Sequence, residues 1–355
     1  MSGKTLTRLG HRSLPALTGD NRFLTVSRVG LVAVCLAFLG LRAAGVSLSL
    51  STQAGIYLFG MVALNLPHGG YEHFANLRRR ELDFRWRYLG CYLGLVGAFV
   101  ALFVVAPVAG LALAIGVAVA KGGFGGLAVL DATSGTDHLP ARWQRALAAL
   151  VRGGAVMAVP LVAWPGVFQT FSHHMVAIFD PGALLPYTPY FETTRWVVGG
   201  GWLAAALAHV GVGFRRGGGR SWLVDAAETA LLGAYFVVVP VVVAVGLYFP
   251  LWYSTRQVGR DVAIDAARGT GGPDVLDFEE PQRVALAAWG LLMAGAVLTF
   301  LLAGLLYRFA PNPLGSASPL VGGVAFWSVF VSIVALPHVV VGDWLDRRQG
   351  IWFVP

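Results

Sequence analysis

The stretch Gln53-Ala54-Gly55-Ile56-Tyr57-Leu58-Phe59-Gly60-Met61-Val62-Ala63-Leu64-Asn65-Leu66-Pro67-His68-Gly69-Gly70-Tyr71-Glu72-His73 decides how this chain is read. It begins as an uncharged apolar run, the signature of a membrane-embedded helix. It ends in two histidines and a carboxylate, just before Arg78, Arg79 and Arg80. Ionisable groups at the end of such a run are costly to place and by default mark a function. His68 and His73 stand five apart, whereas residues three or four apart share a helix face. Gly69-Gly70 between them loosens the backbone, so both rings can still reach one place. The same residues read equally well as interfacial polar groups beside a positive loop.

Working outward, the whole chain has this character. Its 355 residues are 56% hydrophobic and 12% charged, against roughly 25% charged in soluble domains. Mean hydropathy is +0.68. The apolar runs are too long for barrel strands, so the expected fold is all-α: a polytopic helical integral membrane protein of about eight to nine transmembrane helices. The net charge of +8 is almost all arginine; Lys4 and Lys121 are the lysines. In a membrane protein a basic excess is first a topology signal, and the absence of a basic-aromatic RNA motif argues against nucleic acid. Cys35 and Cys91 lie in apolar runs and read as small buried hydrophobes.

The chain divides into a polar basic segment at 1–25, one transmembrane domain at 26–343 and a short tail at 344–355. The run after residue 25 lacks a small-residue cleavage site and reads as an anchor. The expected spans are 26–48, 53–68, 88–105, 108–130, 146–168, 195–214, 223–253, 284–306 and 320–341. The seventh is long for one crossing, so it is tilted, kinked at Pro240 or split there. A connection at 169–194 carries His173 and His174. Residues 121–126, Lys121-Gly122-Gly123-Phe124-Gly125-Gly126, form a glycine-dense span centre where helices or a ligand can approach closely. A cytoplasmic N-terminus puts the connections at 74–87, 131–145 and 215–220 inside, and all are basic. The expected location is the plasma membrane, with the lipid bilayer as surroundings.

Of the eight histidines, His209 reads as a buried hydrogen-bonded ring within a span. His138 reads as solvated in a cytoplasmic loop. His68, His73 and His338 lie near span ends, and neutral imidazoles there suit iron, copper or zinc. No HExxH, CxxC, GxSxG or P-loop is present. Buried charges at Lys121, Arg152, Asp225 and Glu228 leave a transporter as a further class, but no inverted repeat accompanies them.

Leu66-Pro67-His68-Gly69-Gly70-Tyr71-Glu72-His73 resembles the PHGxxDH motif of the Brp/Blh family of bacterial and archaeal β-carotene 15,15′-dioxygenases. Further segments agree in order: Gly123-Phe124-Gly125 resembles the family's HFG, and Arg152-Gly153-Gly154 through Pro160 its RG…P run. Residues 247–257, with Tyr248-Phe249, Trp252 and Ser254, resemble YFxxWHSxRH; Leu336-Pro337-His338 resembles the closing LPH. The resemblance implies a multi-span enzyme that uses non-haem Fe(II) and O₂ to cleave the central double bond of β-carotene, giving retinal, often for a rhodopsin. It also implies four histidine ligands. Only His68 matches; Gly123, Tyr253 and Gln257 stand at the other positions, and Glu72 replaces the motif aspartate. Glycine offers no ligand atom, tyrosine binds ferric iron as phenolate, and glutamine is a weak ligand. Metal ligation is then expected at His68, His73 and His338, with His173 and Glu72 as further candidates, and with Gly123, Tyr253 and Gln257 as degenerate ligand positions lining the substrate pocket. The alternative is an inactive relative that binds a carotenoid or retinal, or assists assembly.

Overall fold

A computed structural model describes residues 22–65, 86–260, 281–315 and 318–349. Among these the chain is helical, with no strand. The helices are α1 Arg22–Ala43, α2 Leu50–Leu58, α3 Trp86–Val105, α4 Pro107–Thr133, α5 Arg142–Ala163, α6 Pro165–Ala177, α7 Phe191–Arg215, α8 Gly219–Val238, α9 Val241–Tyr248, α10 Pro281–Phe309 and α11 Pro319–Gln349. Two wide turns extend them: Phe59–Asn65 continues α2, and Phe249–Ser254 continues α9, which stays helical to Arg260.

Local chemistry sets where the helices start. Ser49 caps α2, its Oγ accepting from the Thr52 amide at 3.1 Å. Pro107 and Pro165 open α4 and α6 in the first turn, where a missing N–H costs nothing. Pro165 therefore ends the expected 146–168 span early, and His173 and His174 stand on α6 rather than in a connection. The long seventh span is split: extended backbone at Val239 and Pro240 separates α8 from α9. The basic link after α7 turns on Gly217, Gly218 and Gly219, whose φ angles of 115°, 60° and 87° suit glycine.

Among the described residues, six helices are long and apolar enough to cross a membrane: Arg22–Ala43, Pro107–Thr133, Arg142–Ala163, Leu185–Arg215, Gly219–Val238 and Pro319–Pro337. Gly90–Val105 and Gly295–Phe309 are shorter apolar helices. The chain is a polytopic membrane-type helical protein. Its outward faces are apolar, as at Val29, Val32 and Leu36 of α1 and Val197, Leu203 and Leu207 of α7, which suits a lipid surround rather than water.

Lipid tails are as apolar as leucine, so burial alone does not hold such helices together; close packing and polar contacts do. α5 is the central helix and packs against α4, α6, α7 and α8. It meets α4 through glycine. A Cβ on Gly153 would fall 1.8 Å from the Val119 carbonyl oxygen, and one on Gly123 would fall 2.1 Å from that of Ala149. The backbones touch there and admit no side chain. α2 and α9 meet similarly, a Cβ on Gly60 lying 2.3 Å from the Gly246 carbonyl oxygen. α11 packs on α2, α3, α4 and α6 and closes the other side of the bundle.

Candidate functional site

Where α2, α4, α5, α6, α9 and α11 surround one another they leave a cavity. It holds about 1330 Å³ of atom-free space, mouth included. The walls are apolar: Leu111, Ala114, Ile115 and Ala118 on α4, Phe168 and Phe171 on α6, Val242 and Phe249 on the α9 strip, Val324 and Val331 on α11. The α4 lining runs from Leu111 to Lys121, a length of roughly 15 Å at 1.5 Å rise per residue. Elongation and apolarity suit a rod-like hydrocarbon better than a polar metabolite.

Polar groups also line it: Tyr57, whose hydroxyl pairs with the Ser328 hydroxyl at 2.7 Å, Ser172 and Ser332 lie along the walls, and a further set stands at one end. Lys121, Asn65 and Ser254 are the last lining residues of their helices, and Tyr253 stands beside Ser254. The Ser254 hydroxyl donates to Asn65 Oδ1 at 2.7 Å. The Lys121 ammonium lies 5.5 Å from the Tyr253 ring centroid, over its π face. Gly125, one turn beyond Lys121 on α4, makes room for both degenerate positions: a Cβ there would meet Tyr253 Cε2 at 2.9 Å and Gln257 Nε2 at 3.0 Å. Gln257 Nε2 donates to the Gly125 carbonyl at 3.3 Å.

The site residues expected from sequence are thus distributed as follows. Tyr253 lines the cavity and Gln257 is buried beside it. Gly123 faces the α5 backbone, and the α4 residues that face Tyr253 are Lys121 and Gly125. His338 belongs to α11, but its side chain lies outside the described set, as do His68 and His73 entirely. Asn65, three residues before His68, is at the cavity end.

The donors in view do not fit a ferrous ion. No group of three or more His, Cys, Asp or Glu able to hold a metal occurs among the described residues. Gln257 turns its amide nitrogen to a carbonyl, and a lysine ammonium stands over Tyr253. A ferrous site calls for neutral imidazoles and carboxylates, not a neighbouring cation.

A second polar cluster escaped the sequence reading as a unit. Ser221, Asp225 and Glu228 recur along one face of α8 and are buried. Arg152 of α5 donates through Nε and Nη2 to Asp225 Oδ1 at 3.0 and 2.6 Å, and through Nη2 to Glu228 Oε2 at 3.0 Å. Arg256 grips Glu228 with both Nη atoms at 2.8 Å and stacks on Trp252, 4.2 Å from the ring centroid. Arg28 of α1 reaches Glu228 Oε1 at 2.7 Å. His138 Nε2 at 2.9 Å and His209 Nε2 at 3.0 Å share Asp225 Oδ2. An ionised carboxylate only accepts, so the network assigns both rings the Nε2–H form. His138 Nδ1 then accepts from the Ser221 hydroxyl at 3.2 Å.

His138 is therefore buried, only 2% exposed, rather than solvated. The turn after α4 folds back and carries its ring against α8. Asp225 and Glu228 are buried, as expected of charges in that span, and are structural partners inside the bundle. The signal available from sequence was two acids three apart in an apolar helix, with arginines inside other apolar segments. The partners lie up to 200 residues away, so no local pattern pairs them.

A polytopic helical membrane-type protein with an internal, elongated apolar cavity and a polar end is the class these features define. Residues 59–346 match the model of the Beta-carotene 15,15'-dioxygenase family, and the chain belongs to that family. It is similar to the probable beta-carotene 15,15'-dioxygenase Brp of Halobacterium salinarum strain R1, 57% identical over 348 residues, covering 96% of this chain and 97% of the relative. It is also similar to the probable beta-carotene 15,15'-dioxygenase Blh of Halobacterium salinarum strain NRC-1, 33% identical over 331 residues, covering 91% and 92%. No solved structure matches.

Proposed function

We propose that this chain cleaves the central double bond of β-carotene with O₂, giving two molecules of retinal, inside the cavity between α4, α6, α9 and α11. The observation that carries this reading is the elongated apolar cavity with its polar end in a member of this family. In the reaction the carbon–carbon double bond is broken and each carbon takes one oxygen atom of O₂. The apolar walls hold the polyene and exclude water. Asn65, Lys121, Tyr253 and Ser254 supply the polar surface at the reacting end. The proposed metal ligands are His68, His73 and His338, with Fe(II) as the metal. The transmembrane domain at 26–343, a plasma-membrane location, a cytoplasmic N-terminus and a rhodopsin as consumer of the retinal belong to the same proposal. The basic connections support the orientation.

Ala118→Trp tests the cavity. The added ring fills space between α4 and the facing helices, and overpacking of this kind costs about 1–3 kcal/mol. β-Carotene consumption in isolated membranes is expected to fall about tenfold or more while protein level and detergent elution hold. Unchanged consumption would send the reaction elsewhere.

A second reading is favoured by Gly123, whose approach to Ala149 leaves no room for a side chain, and by the amide and phenol at Gln257 and Tyr253. On that reading the chain binds a carotenoid or retinal, or assists assembly, without cleaving. Iron analysis of purified protein separates the two: stoichiometric iron supports the enzyme, and none supports the binder.

A further inference from the structure

The proposed cleavage turns an apolar hydrocarbon into an apolar aldehyde. The cavity contains one group that reacts with aldehydes without any further reagent, the primary amine of Lys121. We propose that Lys121 captures the retinal product as an imine, making the polar end of the cavity a covalent aldehyde-binding site. This inference rests on the carotene-cleavage reading for its ligand.

The placement supports it. Lys121 is the last cavity-lining residue of α4 and is half-buried among apolar walls. Lysine carries a primary amine that forms an imine, whereas the delocalised guanidinium of arginine does not. Of 26 basic residues only Lys4 and Lys121 are lysines, so the described part of the chain offers this amine alone for such chemistry. The step balances without an oxidant or reductant. The amine nitrogen adds to the carbonyl carbon to give a carbinolamine, and the carbonyl oxygen leaves as water. The net change is ammonium plus aldehyde to protonated imine plus water. The positive charge stays at the same nitrogen, over the Tyr253 ring that already faces it at 5.5 Å. Hydrolysis reverses the step and releases the aldehyde.

Full-length protein in detergent is incubated with all-trans-retinal, treated with borohydride to reduce any imine, and mapped by peptide mass spectrometry. A retinyl adduct on Lys121, lost in Lys121→Arg, is expected; before reduction, a visible band to the red of free retinal is expected, which should shift to shorter wavelength as rising pH deprotonates the imine. An adduct only on Lys4 or the N-terminal amine, or none, overturns the proposal. β-Carotene turnover is measured on the same preparations. Turnover without a Lys121 adduct overturns the capture site and leaves the cleavage reading standing. An adduct without turnover overturns the cleavage reading and leaves the aldehyde site standing.

Discussion

Glu228 accepts from Arg28, Arg152 and Arg256, and Asp225 accepts from Arg152, His138 and His209. Two carboxylates thus pair with three guanidinium groups and two imidazole rings. Removing one member of a buried ion pair leaves its partners uncompensated, a cost of about 3–5 kcal/mol. Glu228→Gln is expected to destabilise by that order, read as a lower midpoint in thermal or detergent denaturation. Arg28→Met is expected to cost less, because Glu228 keeps Arg152 and Arg256 as partners. Equal effects of the two substitutions would contradict the network as described. At this scale the sequence was least legible. Arg152 and the acid pair were visible as charges in apolar helices, but His138 looked solvated, because its burial depends on a partner 87 residues away.

At the scale of the helix, glycine and proline carry the architecture. Gly123 and Gly153 let α4 and α5 touch backbone to backbone, and Gly60 with Gly246 does the same for α2 and α9. Gly153→Leu would drive a side chain into the Val119 carbonyl; such overpacking costs about 1–3 kcal/mol or more. The expected outcome is loss of monodisperse folded protein in detergent, whereas Gly200→Leu, which meets nothing within 4 Å, should leave it intact. Helix boundaries were readable where proline sets them, at Pro107 and Pro240. Pro165, inside the expected 146–168 span, instead starts a new helix. The glycine-rich centre of α4 signalled a close approach, but not its direction. Helical phase puts Gly123 on α5 and turns Lys121 and Gly125 toward Tyr253 and Gln257.

At the scale of the molecule, composition alone led to a polytopic helical membrane-type protein, and ordered motifs led to the family. Among the described residues six helices are long and apolar enough to cross, which does not confirm the expected eight to nine. Length and hydropathy cannot tell a crossing helix from a shorter apolar one that packs inside the bundle, as α6 and α9 do. The cavity itself had no sequence signature, since its wall is assembled from six helices that contribute a few residues each. Its elongated apolar form suits a polyene, and the polar end suits a product that gains a carbonyl. The most direct test is expression of the full chain in cells that accumulate β-carotene, with extraction and chromatography of the pigments. Retinal should accumulate as β-carotene falls, and Ala118→Trp should suppress both changes. Membranes that contain folded protein but yield no retinal, with β-carotene undiminished, would contradict the assignment of cleavage to this cavity.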